Sequence, residues 1–222
     1  RAECPICATP VERFEAAGAR TRRPDQRCPT CGSLPRHRMI WLYLALRTDL
    51  LTEPARLLHV APEAHLGVDL RRRPTLRYLS ADLEPGKAMT VLDVTAIDRP
   101  DESFDAVYMS HVLEHVPDDQ LAMRELRRVL RPGGQAIFMV PVWGPTTRED
   151  PSITDPAERT RLFGQHDHVR MYGHDGTVER RLEAAGFDVS VVAFAQELGE
   201  AVARRHRLDP REELYVATRP LA

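Results

Sequence analysis

Four cysteines form two Cys-x-x-Cys pairs, Cys4 and Cys7 in CPIC and Cys28 and Cys31 in CPTCG. Two such pairs about twenty residues apart have the spacing of a zinc ribbon. Each turn points two thiolates at one centre, and tetrahedral Zn²⁺ takes both pairs at about 2.3 Å. Four sulfur ligands leave no open position, so the metal expected on Cys4, Cys7, Cys28 and Cys31 is structural. Proline after the first cysteine of each pair and Gly32 after the last suit tight turns. Two disulfides would need an oxidising compartment, for which nothing else in the sequence argues.

The other candidate chemistry is carried by acids and histidines at the ends of apolar runs, so those runs must be placed first. Seven runs read as strands: RLLHVA, LRYLSADL, MTVLDV, FDAVYMSHVL, QAIFMVPV, FDVSVVAF and EELYVATR. Helical patterns lie between them, most clearly DDQLAMRELRRVLRPGG, capped by Asp118 or Asp119 and ended by Gly133, and DGTVERRLEAAGF. Alternating strands and helices predict an α/β fold with a doubly wound, mostly parallel, seven-stranded sheet. SLPRHRMIWLYLALRTDLL predicts an amphipathic helix whose first turn holds Arg36, His37 and Arg38, against the helix dipole. The expected organisation is a ribbon over residues 1–35, a linking helix over 36–54 and an α/β domain over 55–222. Residues 143–173 form a long segment rich in Pro, Thr, Asp, Gly and His, which reads as a lid.

Ligands of open α/β sheets bind beyond the carboxyl ends of the strands. Those ends are Ala61-Pro62-Glu63, Asp82-Leu83, Asp93-Val94 and Ser110-His111. Asp82 follows the first turn by about twenty residues, where an acid accepts from a ribose diol in nucleotide-binding folds. Asp93, closing the third strand, is placed to accept from an adenine amino group. The lid sequence HDHVRMY adds His166, Asp167, His168, Arg170 and Tyr172, with Trp143 at its start.

The run FDAVYMSHVLEHVPDDQLAMRELRRVLRPGGQAIFMVP resembles the class I methyltransferases that use S-adenosylmethionine, most closely a small-molecule branch that includes the quinone methylases. DHVRMYGHDGTVERRLEAAGFDVSVV is similar to the same branch, and the resemblance covers roughly residues 55–218. It implies a Rossmann-like methyltransferase fold, with S-adenosylmethionine contacting Ala61, Pro62, Glu63, Asp82, Leu83, Asp93, Val94, Ser110 and His111. One departure stands out. The family's first motif has an acid before a Gly-x-Gly-x-Gly loop, and here the acid falls on His59 and the glycines on Ala61, Glu63 and His65. Glycines there let the backbone approach the donor, whereas Glu63 offers a carboxylate to its ammonium group.

Methyl transfer requires alignment and a base for the acceptor's proton. The candidates are His111, His166 and His168, with His115 below them because it resembles a family position that often only packs. Arg170, Tyr172, Asp167 and Trp143 are expected at the acceptor, Arg170 through a bidentate contact. A second metal on these histidines would have no standard sequence spacing. The first reading of function is methyl transfer to O or N of a small metabolite. The alternatives are an RNA or protein methyltransferase that recognises its target through the ribbon, and a non-catalytic relative. The ribbon has Phe14 as its sole aromatic, so base stacking has few platforms and nucleic acid is the less favoured partner. The first 50 residues carry nine Arg against five acids, yet the chain's net charge is −2. Without a run of about 20 apolar residues or a signal-peptide pattern, a cytoplasmic protein is expected.

Overall fold

The computed structural model describes residues 2–18 and 22–221. The central sheet has seven strands: β1 (Ala55–Val60), β2 (Leu76–Asp82), β3 (Thr90–Val91), β4 (Phe104–Ser110), β5 (Leu130–Met139), β6 (Asp188–Val192) and β7 (Leu214–Thr218). Their order is β6-β7-β5-β4-β1-β2-β3. β1 with β4, β4 with β5 and β2 with β3 pair parallel, while β7 runs antiparallel to β5. The helices are α1 (Pro35–Arg47), α2 (Ala64–Arg71), α3 (Asp119–Val129), α4 (Pro156–Phe163), α5 (Thr177–Ala184), α6 (Phe194–Glu197) and α7 (Glu200–His206). None is long and apolar enough to cross a membrane.

Burial explains why the inner strands read as nearly continuous apolar runs rather than alternating ones. Six of the seven residues of β4 are buried, as parallel strands covered on both faces require. Val107, Met109, Phe138 and Tyr215 of the sheet share one core with Met123 and Leu126 of α3 and Leu182 of α5. The buried positions of α3 are Asp119, Ala122, Met123, Leu126 and Val129, one stripe at helical spacing. Asp118 caps this helix by accepting from the Leu121 amide at 2.8 Å.

The chain divides into two compact units. One comprises Arg1–Ala55, Pro62–Tyr78 and Val192–Leu214, and the other comprises Arg56–Ala61, Leu79–Val191 and Tyr215–Ala222. Segments 62–78 and 192–214 thus group with the four-cysteine segment and α1, where the sequence suggested boundaries after residues 35 and 54. In the first unit Tyr43 of α1 meets Phe194 edge-on, with ring centroids 5.2 Å apart, and Arg47 pairs with Glu197 at 3.0 Å.

Two local expectations change. MTVLDV contributes only Thr90–Val91 as strand. Gly133 does not end α3, which stops at Val129, and the RPGG segment belongs to β5. There the register against β4 slips between the Phe104 and Ala106 pairs. A Cβ on Gly134 would lie 2.9 Å from both the Asp105 and Arg131 carbonyl oxygens, so the glycine admits a close backbone approach. Gly134→Ala should therefore destabilise the fold by about 1–3 kcal/mol, read as a lower urea midpoint with an unchanged m-value.

Candidate functional site

A cavity of about 620 Å³ opens at the carboxyl ends of β1 to β4 within the second unit. Val60 and Ala61 line it from the end of β1, Asp82 and Leu83 from β2, and Leu92 to Thr95 from the segment after β3. His111, Val112 and the 115–118 turn close it with Leu121 of α3 and Asp167 of the lid. Of the residues expected at a cofactor, Ala61, Asp82, Leu83, Asp93, Val94 and His111 come together on this wall. Ser110, just before it, is buried with its hydroxyl unpaired among the described residues.

The two acids are held by short local turns. Asp82 Oδ1 accepts from the Glu84 amide at 2.8 Å. Asp93 Oδ1 accepts from the Thr95 amide at 2.8 Å and from its hydroxyl at 2.7 Å. Each carboxylate is thereby oriented through one oxygen while the other stays available.

The turns after β1 and β4 are both strained. Ala61 has φ 49° and His111 φ 56°, left-handed values that cost a non-glycine residue of order 1 kcal/mol or more. Their amides are fixed nonetheless: Ala61 N–H donates to Ala81 O and His111 N–H to Met139 O, each at 2.8 Å. The glycine-free turn now has a geometric explanation. Of the three positions where the family has glycine, only Ala61 needs a positive φ. Glu63 is extended at φ −70° as the first flank of α2, and His65 lies within that helix. The acid position before the loop is taken by His59, which is fully buried with its ring 4.8 Å from that of Tyr108.

Glu63 and Pro62 belong to the first unit, where Glu63 Oε1 is 3.6 Å from His37 Nε2. His37 Nδ1 accepts from the Leu34 amide at 3.1 Å and lies 2.6 Å from His65 Nε2. These bonds assign the His37 proton to Nε2, facing Glu63. Burial pushes the His37 pKa down to about 3, so the ring is neutral at pH 7. The carboxylate expected to meet a donor's ammonium group thus has a histidine as neighbour, and its side chain does not cap α2.

The 143–173 segment, expected as a lid, is ordered rather than loop-like. Strands Arg148–Glu149 and Arg170–Met171 pair antiparallel, and α4 lies between them, capped by Asp155. Arg170 is buried and serves the protein itself. Its guanidinium donates to Leu113 O at 2.6 Å, to Val116 O, to Pro117 O at 2.8 Å and to Glu149 at 3.1 Å. Tyr172 is fully buried and donates to Asp119 Oδ2 at 2.6 Å. These two residues therefore brace the pocket wall, where the sequence suggested contacts with an acceptor. Trp143 is 70% exposed and His166 is also exposed, neither lining the pocket, while His168 is buried. The sequence reading missed the apolar lining of Val60, Leu92, Val112, Val116 and Leu121, whose only signal is adjacency to strand ends. It also missed Glu114, fully buried in the SHVLEH turn, with both carboxylate oxygens lacking a hydrogen-bond donor among the described residues.

The cysteine pairs converge. Cys4 and Cys31 Sγ are 3.6 Å apart, Cys7 and Cys28 3.8 Å, and all four sulfurs lie within 4.8 Å of one another. Sulfurs at the corners of a tetrahedron about 2.3 Å from Zn²⁺ would be about 3.8 Å apart, so the set is compatible with zinc. None is in a disulfide. Burial pushes the Cys31 thiol up to about 12, so its thiolate needs a cation.

If Arg170 is a brace, Arg170→Met should lower stability by about 3–5 kcal/mol, the cost of breaking a buried ion pair. Urea unfolding measures this. An arginine serving only an acceptor would leave stability within about 0.5 kcal/mol.

Comparison with known proteins places this geometry. A family model described as a methyltransferase domain matches residues 49–138. An uncharacterized methyltransferase of Mycolicibacterium paratuberculosis is 30% identical over 153 residues, covering 61% of this chain and 58% of the relative. The chain thus spans less than two thirds of that relative's length. A chain of the Haloferax volcanii complex between the Trm112 methyltransferase activator and a methyltransferase is similar with a TM-score of 0.59 at 16% identity. That match covers 83% of this chain and 91% of the other. The Burkholderia thailandensis 1,6-didemethyltoxoflavin-N1-methyltransferase, solved with 1,6-didemethyltoxoflavin and S-adenosylhomocysteine, gives 0.53 at 16% identity, covering 82% and 76%. Residues 49–138 are thus similar to a methyltransferase domain, and the chain shares the Rossmann-like fold of these methyltransferase structures.

Proposed function

We propose that the pocket binds S-adenosylmethionine and that the protein transfers the methyl group to an oxygen or nitrogen of a small-molecule acceptor. One observation carries this reading: a cavity of about 620 Å³ beyond the strand ends, with Asp82 and Asp93 on its wall. The volume lies in the range of small-molecule sites, roughly 300–1,000 Å³. Leu92, Val94, Val112, Val116 and Leu121 offer apolar surface to a purine ring. Asp82 and Asp93 offer acceptors to the ribose diol and the adenine amino group, and their local turns fix them before the ligand arrives. When bound, S-adenosylmethionine supplies an electrophilic methyl group on a sulfonium centre.

The chain's own task is then alignment, exclusion of water and removal of a proton. His111 is the proposed base. It lines the pocket on a strained turn, with Glu114 Oε1 3.4 Å from its Nδ1. Asp167 is the lid residue that reaches the pocket wall. A small acceptor is favoured over nucleic acid because Phe14, the ribbon's aromatic, is buried beneath the Arg38 guanidinium at 4.4 Å and cannot stack on a base.

The proposal includes Zn²⁺ on Cys4, Cys7, Cys28 and Cys31. Ser33, fully buried, lies 3.3 Å from Cys4 Sγ and 3.2 Å from Cys31 Sγ, hydroxyl contacts of the kind that orient metal ligands. A chelator wash should leave one zinc equivalent, which a thiol-modifying mercurial then releases with loss of stability. Zinc well below one equivalent, or a disulfide among these cysteines, overturns this assignment.

The donor site is tested by calorimetry with S-adenosylhomocysteine. The parent should bind it, and Asp82→Ala should weaken binding by about 1.5–3 kcal/mol, the scale of hydrogen bonds to a charged group. Equal affinity in parent and variant would show the placement to be wrong.

A further inference from the structure

Glu114, His115 and His168 bring one ligand atom each within 4.8 Å of one another beside the pocket. They come from separate parts of the chain, the SHVLEH turn after β4 and the end of the lid. Glu114 is fully buried, and neither carboxylate oxygen has a hydrogen-bond donor among the described residues. The nearest positive candidate, His111 Nδ1, stands 3.4 Å from Oε1. A carboxylate in that state is costly unless it is protonated or balanced by a cation.

The two imidazoles are arranged as ligands rather than as counter-charges. His168 Nδ1 is 2.8 Å from the Phe163 carbonyl oxygen, a contact only an N–H can make favourable. The proton is therefore on Nδ1, and Nε2 carries the lone pair. Gln165, an exposed residue, faces that Nε2 at 3.0 Å, a contact the cation would replace. His115 Nδ1 is 3.3 Å from Asp167 Oδ2, the carboxylate–histidine relation that steadies metal-binding rings. The two rings meet edge-on, with centroids 4.7 Å apart.

We propose that Glu114, His115 and His168 bind a divalent transition-metal cation at the wall of the pocket. Two imidazoles and one carboxylate form a donor set that suits Zn²⁺ when a coordination position is kept open. A cation about 2.1 Å from each ligand spans at most roughly 4.2 Å, so a small rotation of the rings closes the set. His115 lines the pocket, which gives the open position access to an acceptor. An acceptor hydroxyl bound there would lose its proton to His111 or solvent at neutral pH. Its oxygen lone pair then forms the bond to the methyl carbon as the carbon–sulfur bond breaks, with that electron pair remaining on sulfur. This consequence rests on the donor-pocket reading, whereas the metal site itself does not.

The test titrates Zn²⁺, and separately Co²⁺, into chelator-washed protein whose ribbon remains filled. A second equivalent should bind, with Co²⁺ giving ligand-field bands and no thiolate charge-transfer absorption. Glu114→Gln and His115→Gln should each weaken that binding at least tenfold. His115 is partly exposed, so its variant decides the matter if Glu114→Gln fails to fold. No second equivalent, or undiminished binding in the folded variants, overturns the proposal. S-adenosylhomocysteine calorimetry on the same samples separates the two readings. Binding of the nucleoside without a second metal removes only the metal site, and a second metal without nucleoside binding removes only the donor pocket.

Discussion

Two arginines and two acids meet where the lid joins the pocket wall, and the shape of that wall depends on them. Asp119 Oδ2 accepts from Arg181 at 2.6 Å and from the Tyr172 hydroxyl at 2.6 Å, and Glu149 accepts from both Arg181 and Arg170. Arg170 then reaches past them to three carbonyls of the 113–117 turn. That turn has no regular secondary structure of its own to satisfy its carbonyls, so buried guanidinium donors take the place of a helix or strand. Charge balance is what makes this affordable, with two positive groups against two negative ones. The Glu149 carboxyl is held below its usual range, first by Arg181, and burial raises the Tyr172 phenol well above its own. Glu149 is therefore ionised and Tyr172 protonated around neutral pH.

With the turn fixed, the strand ends can carry strain. Ala61 and His111 adopt left-handed backbone at adjacent strand ends, and strain of this kind persists only where the surroundings over-determine it. Here the surroundings are the flanking ladder bonds from Ala61 and His111 to Ala81 and Met139. The first turn then needs the conformation of glycine at one position alone. The positions held by Glu63 and His65 are extended and helical, conformations that any residue adopts. A turn without glycine is thus compatible with a strand-end pocket, provided that alanine bears the one unfavourable φ.

The four-cysteine segment solves a different problem, that of bringing four sulfurs within 4.8 Å of one another. Arg38 is fully buried in the same unit and donates to the carbonyls of Ser33, Gln26, His206 and Arg207. It both ties three segments of chain together and places a positive charge near the sulfurs, where a tetrathiolate site with Zn²⁺ would carry net negative charge. Burial lowers its pKa to about 10, so the group remains charged at neutral pH. The basic start of α1, which opposes the helix dipole, is explained by this burial and by the neutral state of His37. Of the three residues Arg36 remains, its Nε buried without a hydrogen-bond partner among the described residues.

The cysteine spacing, the inner strands and the strand-end acids were legible in the sequence because each is local. A Cys-x-x-Cys turn brings its own sulfurs together, a buried parallel strand must be apolar throughout, and an acid at a strand end falls on the ligand side whatever the loops do. The roles of the lid residues were not legible. Arg170 and Tyr172 look like substrate contacts in a polar, histidine-rich segment, yet long-range pairing with Asp119 and the 113–117 carbonyls turns them inward. Glu114 had the opposite disguise, a single acid in an apolar stretch whose burial depends on how the turn after β4 is braced. Sequence determined which groups the chain possesses and which strand ends they follow. Tertiary structure alone decided which charges are neutralised inside the protein and which stay unpaired, because the cost of a charge depends on partners brought from distant parts of the chain.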